Sequence, residues 1–412
     1  MDCRLYQGII SRTTLVLLSL LLASAACAQK VTIKVENAEK RMRHEVVEVD
    51  LKDVERKLNL KDGEEFVVRN ALNQEVAYQK TYDGKLLIEV SVRPKGSAVF
   101  TMQKGIPRPV KASVSGRHYP ERLDDITWEN DRGIYRLYGP ALQANKEQAY
   151  GIDVWLKNTP DPVVEERYAT HLTGYEAVHQ LNKEGRKEEA RRTEDSVSFH
   201  IDHGYGHDCY KVGPTLGCGA PAVILSGKLI MPYCYETYNI LDNGPLRFTV
   251  ELTYCPTDMG ANKGVVEHRL VSLDKGMNYN KMTVWYEGLR TGAEVAAGIV
   301  VHSEDAESQL LTDSYALYAD PTENPSGQNF QIFTGLLFPN KVDRVITRPT
   351  MATPGVTGHL LGIRHVNNNE RFTYYFGSAW SKYDVRSLAE WKVRSEETLA
   401  AIKAPLKPLV LH

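Results

Sequence analysis

The sequence predicts an all-β protein, with a small N-terminal β-sandwich over residues 29–115 and a large antiparallel β-sandwich over 116–412. Three observations carry that expectation. Short β-branched runs alternating apolar and polar residues recur along the chain, Asn, Asp, Gly and Pro break them at close intervals, and no internal repeat or low-complexity tract intervenes. A length of 412 residues exceeds what one ordinary core fills. With 42% hydrophobic and 25% charged residues the composition is that of a folded chain, and a formal charge of -2 gives no reason to expect a nucleic-acid partner.

In chain order, Arg4 and Arg12 precede an apolar run from Leu15 to Leu22, and "ASAACAQK" supplies an Ala26-x-Ala28 pattern before Gln29. This reads as a secretory signal peptide over 1–28, hence a periplasmic protein. A lipid anchor at Cys27 is the lesser alternative, because Ser24 stands where lipoprotein signals usually carry an aliphatic residue. No other stretch approaches the roughly 20 apolar residues of a membrane span. Export leaves Cys209, Cys218, Cys234 and Cys255, and an even number outside the cytoplasm predicts disulfides. Pairing within 209/218 and within 234/255 closes short loops, with the connectivity left open.

The small domain is expected from "VTIKVEN", "HEVVEVDL", "EEFVVRN", "KLLIEVSV" and "SAVFTM", separated by turns such as Lys61-Asp62-Gly63 and Asp83-Gly84. A Pro/Gly/basic boundary follows near 104–117. Longer strands come next, among them "LRFTVELTY", "VEHRLVSLD", "NKMTVWYEG" and "VAAGIVVHS". The exception is "EAVHQLNKEGRKEEARRTED" (176–195), a charged helix or helix pair interrupted at Gly185.

"HIDHGYGHDCYKVGPTLGCGAPAV" (200–223) is the densest cluster of reactive side chains. No G-x-x-x-x-G-K-[ST], G-x-S-x-G or H-E-x-x-H occurs, which removes nucleotide-dependent, serine-hydrolase and zincin readings. His200, His203, His207, Cys209 and Cys218 could ligate zinc, but their spacing fits no recognised finger and export disfavours free thiolates. No metal or cofactor is therefore expected. As a catalytic loop, its glycines permit close backbone approach to a ligand, while His203, His207, Tyr210 and Lys211 supply groups that give or take protons. A second cluster, "DITWENDRGIYRLYGPAL" (125–142), read as one strand, projects Trp128, Asn130 and Arg132 from one face, continued by Arg136 and Tyr138. An aromatic platform beside a guanidinium suits an acidic sugar. Asp153 and Trp155 in "GIDVWLK", Tyr375, Trp380 and Lys382 in "TYYFGSAWSKYDV", and His302 at the end of an apolar strand complete the candidates.

"WENDRGIYRLYGPAL", "GIDVW", "DHGYGHDCYKVGPTLGCGAPA", "VEHRLVSLDKGMNYNKMTVWYEG" and "FGSAWSK", in that order, resemble the exported bacterial family catalogued as domain of unknown function 4861. The resemblance implies a galactose-mutarotase-type supersandwich and a role beside pectin- and ulvan-degrading enzymes. It further implies an oligosaccharide dehydratase, a carbon-oxygen lyase that removes the C5 proton and 4-hydroxyl of a non-reducing-end uronic acid. Tyr205 and His207 depart from what that family usually carries there, which favours a binding over a catalytic role for His207. The expected catalytic residues are His203, Tyr210 and His302; Trp128, Arg132, Tyr138, His207, Lys211, Trp380 and Lys382 are expected to bind a uronic-acid oligosaccharide. A mutarotase-like isomerase and a non-catalytic glycan-binding protein are the alternatives on the same fold.

Overall fold

The structure is a computed structural model and describes residues 29–231, 233–321, 329–350 and 353–411. The signal-peptide segment, Cys27 included, lies outside the described residues.

The small domain is a sandwich of two sheets. One runs in the order Phe66–Asn70, Ser97–Lys104, Lys30–Glu36, Pro408–Leu411, and the other is Arg43–Asp50, Lys85–Val92, Tyr78–Lys80. Alternate residues Val31, Ile33, Val35, Ile88, Val90, Phe100 and Met102 meet between them, fully or nearly fully buried. One helix, Leu51–Leu58, interrupts the strands; Asp50 caps it by accepting from the Asp53 N–H at 2.9 Å, and Asn59 ends it with a left-handed φ of 51°. The last strand of the chain returns to this domain, so the domain is not confined to 29–115: Thr32 pairs with Leu411 and Val35 with Pro408.

The large domain is two layers of antiparallel strands. One layer is a nine-stranded sheet whose path runs Tyr235–Asn243, Arg247–Tyr254, Asn262–Asp274, Tyr279–Glu287, Phe372–Trp380, Ile332–Leu337, Tyr315–Asp320, Gln309–Thr312, with Thr257–Met259 pairing beside it. Facing it are a five-stranded sheet, centred on Cys218–Leu225, Ala293–Val301 and Gly358–Val366, and a four-stranded meander, Ser115–Tyr119, Asp125–Glu129, Ile134–Leu137, Ile152–Trp155. A parallel bridge between Ile152 and Gly217 joins these two sheets edge to edge. One apolar core fills the space between the layers. The protein is therefore all-β, a small sandwich followed by a large supersandwich.

Three departures from expectation have local causes. The stretch 125–142 is a hairpin, not one strand: the Asn130 side chain accepts from the Arg132 and Gly133 N–H groups at 2.8 and 3.1 Å and turns the chain. Trp128 consequently pairs with Tyr135 rather than sharing a face with Arg132. The charged helical segment is a pair, Val164–Lys183 and Lys187–Val197, broken at Gly185 as expected but starting earlier, because Val164 and Tyr168 pack on Trp155 and Phe199 against the outer face of the meander. A further helix, Leu388–Lys403, covers the outer face of the nine-stranded sheet. Its Ser387 cap accepts from the Glu390 N–H at 3.2 Å, and Trp391 stacks on Tyr279 with ring centroids 4.9 Å apart.

The expected disulfides are a correction. Among the described residues no disulfide joins any of the four cysteines. Cys218 is turned into the sandwich interior, its thiol 3.5 Å from the Gly377 carbonyl, whereas Cys209 remains in the loop. Cys234 and Cys255 flank the cross-strand pair Tyr235–Tyr254 without being bonded. The glycine loop is held by backbone hydrogen bonds instead.

Candidate functional site

The site is assembled where three pieces of chain meet at one end of the supersandwich. The first is a row across the nine-stranded sheet: Asp320 pairs with Ile332 and Ile332 with Trp380, so the three side chains share a face. The second is His302, just past the end of the strand Ala293–Val301 in the facing layer. The third is the loop 203–217, which crosses between them.

That loop is fixed by its backbone. Leu156 N–H donates to the His207 carbonyl and Asp208 N–H to the Phe199 carbonyl, each at 2.8 Å, and Val300 N–H donates to the Gly217 carbonyl at 2.9 Å. At Gly206 φ is +107° and a Cβ would lie 2.0 Å from the Leu156 carbonyl oxygen; at Gly217 φ is +55° and a Cβ would lie 2.2 Å from that of Ile152. Only glycine fits either contact, and the loop lies flat on the meander as a result. Leu216 N–H donates to Nε2 of His359 at 3.3 Å, and burial lowers that imidazole to about 4, so it stays neutral and accepting.

The clamped loop turns His207, Asp208 and Tyr210 inward and leaves His203 and Lys211 exposed. Tyr210 meets His302 edge to face, ring centroids 6.1 Å apart. Nδ1 of His302 hydrogen-bonds Asp320 at 2.7 Å, and its backbone N–H donates to the Tyr318 hydroxyl at 3.0 Å. The carboxylate thus holds the proton on Nδ1 and leaves Nε2 as a lone-pair acceptor. Nε2 of His302 and the Tyr210 hydroxyl are both buried with no hydrogen-bond partner among the described residues. Buried polar atoms are ordinarily paired, so two unpaired ones on adjoining rings mark a place built for something else. Burial raises the Tyr210 phenol well above its ordinary value, and the neighbouring Cys218 and Asp320 add to the rise. Tyr210 is therefore a protonated donor, not a base.

Beside this pair, His207 lies edge to face on Trp380 at 5.4 Å, with its Nε2 3.2 Å from the Asn329 Oδ1 and its Nδ1 buried and unpartnered. Burial lowers its pKa, which keeps it neutral. Lys382 pairs with Asp202 and places its ammonium 5.4 Å from the Trp380 ring centroid. Behind the loop lies a compensated charge cluster. The Arg136 guanidinium is 2.6 Å from Asp153, 3.5 Å from Asp208 and 3.7 Å from Asp125, with the Tyr138 hydroxyl at 3.3 Å. Burial, then the proximity of Asp153, raises the Asp208 carboxyl to about 7.

Tyr210, His302, His207 and Lys382 are thus brought together around Trp380, which is itself core at 2% exposure and backs the site rather than facing a ligand. The others lie elsewhere. Trp128 is fully buried, stacked on Phe248 and bonded through its indole N–H to Asn280 at 2.7 Å, and presents no face to a ligand. Arg132 stands at the domain boundary beside Asp384 and Asp131, where it lines a cavity of roughly 850 Å³ between the strand Arg43–Asp50 and the helix Leu388–Lys403. Tyr138 belongs to the Arg136 cluster, and Trp155 is core. His203 borders a small outer pocket with Arg167, Phe199 and Tyr205. Among the described residues no three His, Cys, Asp or Glu side chains are grouped to hold a metal ion, and no helix is long and apolar enough to cross a membrane. Sequence reasoning missed Asp320, Asn329 and Asp208; an acidic residue ending the strand "SYALYAD" was the available signal for the first.

The family described as "Domain of unknown function (DUF4861)" matches residues 35–407. Uncharacterized protein P7 of Formosa agariphila is 24% identical over 385 residues, covering 88% of this chain and 89% of the relative. Among solved structures, an α-mannosidase from Enterococcus faecalis V583 is similar over 93% of this chain and 46% of its own at 8% identity and a TM-score of 0.46. A glycosyl hydrolase family 38 protein from the same species gives 8% identity, a TM-score of 0.46 and 48% of its length. The chain spans about half the length of these two structures. With the match extending over nearly all described residues, the chain belongs to the DUF4861 family.

Proposed function

We propose that the protein is a carbohydrate-active lyase, an oligosaccharide dehydratase acting in the periplasm on a non-reducing-end uronic acid of pectin or ulvan type. The observation that carries this reading is the pair of buried, unpartnered proton-transfer atoms, the Tyr210 hydroxyl and His302 Nε2, on rings 6.1 Å apart. His302, oriented by Asp320, takes the C5 proton as base. The C5–H electrons form the C4=C5 bond, and Tyr210 protonates the departing 4-hydroxyl as water. Passage of the proton from His302 to the phenolate restores both groups. Tyr210 is the acid because burial raises its pKa. Charge building on the uronate during C5 deprotonation needs a cation, and with Arg132 at the domain boundary that part falls to Lys382, which exchanges Asp202 for the substrate carboxylate.

Incubation with saturated, uronate-terminated pectic and ulvan oligosaccharides tests this. The expected result is a conjugated enol-carboxylate absorbance and a product lighter by one water. A product of unchanged mass points to an isomerase, and no product from either substrate class overturns the reading.

A further inference from the structure

Phe330 is an exposed aromatic, 39% accessible, and its φ of +55° lies in the left-handed region that bulky residues seldom occupy. The chain on both sides holds it there. The Trp380 indole N–H donates to the Asn329 carbonyl at 2.8 Å, and Gln331 exchanges hydrogen bonds with Ser381, its N–H donating to the hydroxyl and its carbonyl accepting from the Ser381 N–H, both at 2.9 Å. The Gln331 side-chain amide donates to the carbonyls of Ile332 and Asp320. Strain held on both sides, on a ring only partly covered, indicates use rather than packing. The ring contacts Trp380 edge to face at 6.0 Å and has the Lys382 ammonium 5.5 Å from its centroid. Trp380 stands two strands from Asp320, about 10 Å at ordinary strand spacing, and Phe330 lies two residues before Ile332, just outside the end of the strand between them.

We propose that Phe330 is the stacking platform for the sugar ring that follows the uronate, set beside the Lys382 ammonium that takes the uronate carboxylate. The apolar C–H face of a pyranose covers the aromatic face. The placement rests on the reading of Tyr210 and His302 as the reacting pair; the stacking does not.

The test is calorimetric titration in a His302→Gln background, so that substrate persists, with galacturonic acid and with a saturated uronate-terminated tetrasaccharide. Phe330→Gly removes the ring while accepting the left-handed backbone, and Phe330→Tyr keeps the ring. The glycine variant is expected to bind the tetrasaccharide about tenfold more weakly, the tyrosine variant as well as its parent, and the monosaccharide affinity should not change. Equal tetrasaccharide affinity of glycine variant and parent overturns the platform, as does absence of binding by the parent. Equal losses on monosaccharide and tetrasaccharide overturn its position. Phe330-dependent binding with no turnover by the unmodified protein leaves the platform standing and removes the dehydratase.

Discussion

The clamped loop meets Arg136 through Asp208 and His302 through Tyr210, and the two surroundings are built on opposite lines. Arg136 sits among Asp125, Asp153 and Asp208, and its charge is answered several times over. The Tyr210 hydroxyl and His302 Nε2 are buried without partners among the described residues. A compensated buried charge fixes structure, because removing one member strands the others. An uncompensated donor and acceptor cost stability in the folded chain, which is tolerable where a ligand supplies the partner. The loop residues Asp208 and Tyr210 thus separate anchoring from chemistry within three positions.

Substitution should split the two regions cleanly. His302→Gln and Tyr210→Phe are each expected to lower the dehydration rate by roughly 10²–10⁴-fold with little change in the thermal midpoint. Parallel loss of activity and melting temperature would make the pair structural. Arg136→Met, which leaves three carboxylates without their cation, should cost about 3–5 kcal/mol in denaturant unfolding; wild-type stability in that variant would break the comparison from the other side. His359→Leu removes the acceptor for the buried Leu216 N–H and should cost about 1–3 kcal/mol. Because burial holds that imidazole down at about 4, its contribution is present above the ordinary histidine range and lost as pH falls through 4. A stability profile of this variant that keeps the parent's acid limb would show the titration lies elsewhere.

A separate effect is expected on the pH slope of stability. The Asp208 carboxyl, raised to about 7 from an ordinary 3.8, holds a proton in the folded chain that the unfolded chain has already released between those values. Its stabilisation is full below the unfolded value and is lost as pH rises through 7. Asp208→Asn should therefore flatten the decline between pH 4 and 7, measured as denaturant midpoints across that range. An unchanged slope would place the proton on a neighbouring group.

Much of the fold was legible because strands advertise themselves locally. "VTIKVEN" and "KLLIEVSV" alternate, and Asp83-Gly84 marks the turn between strands. Helices were less legible: "LKDVERKL" is a short insert between strands, and the Ser387–Glu390 capping signal follows directly on an aromatic strand segment. The glycine loop was recognisable by composition, and Tyr210 and His207 with it. What sequence could not supply was the pairing. Asp320 reaches His302 only because the strand Tyr315–Asp320 ends opposite the exit of Ala293–Val301. Arg132 looked continuous with Trp128 until Asn130 turned the chain between them. Phe330 carries no signal at all, since its exposure follows from a backbone angle rather than a residue pattern.

The strand Pro408–Leu411 has a consequence for how the molecule is made. It completes the edge of a sheet whose neighbouring strand, Lys30–Glu36, comes from the opposite end of the chain, and the Lys57 ammonium reaches over to the Val410 carbonyl at 3.0 Å. Without Pro408–Leu411 the Lys30–Glu36 strand presents an unpaired edge, and the pairing that covers it is a contact of very long sequence separation.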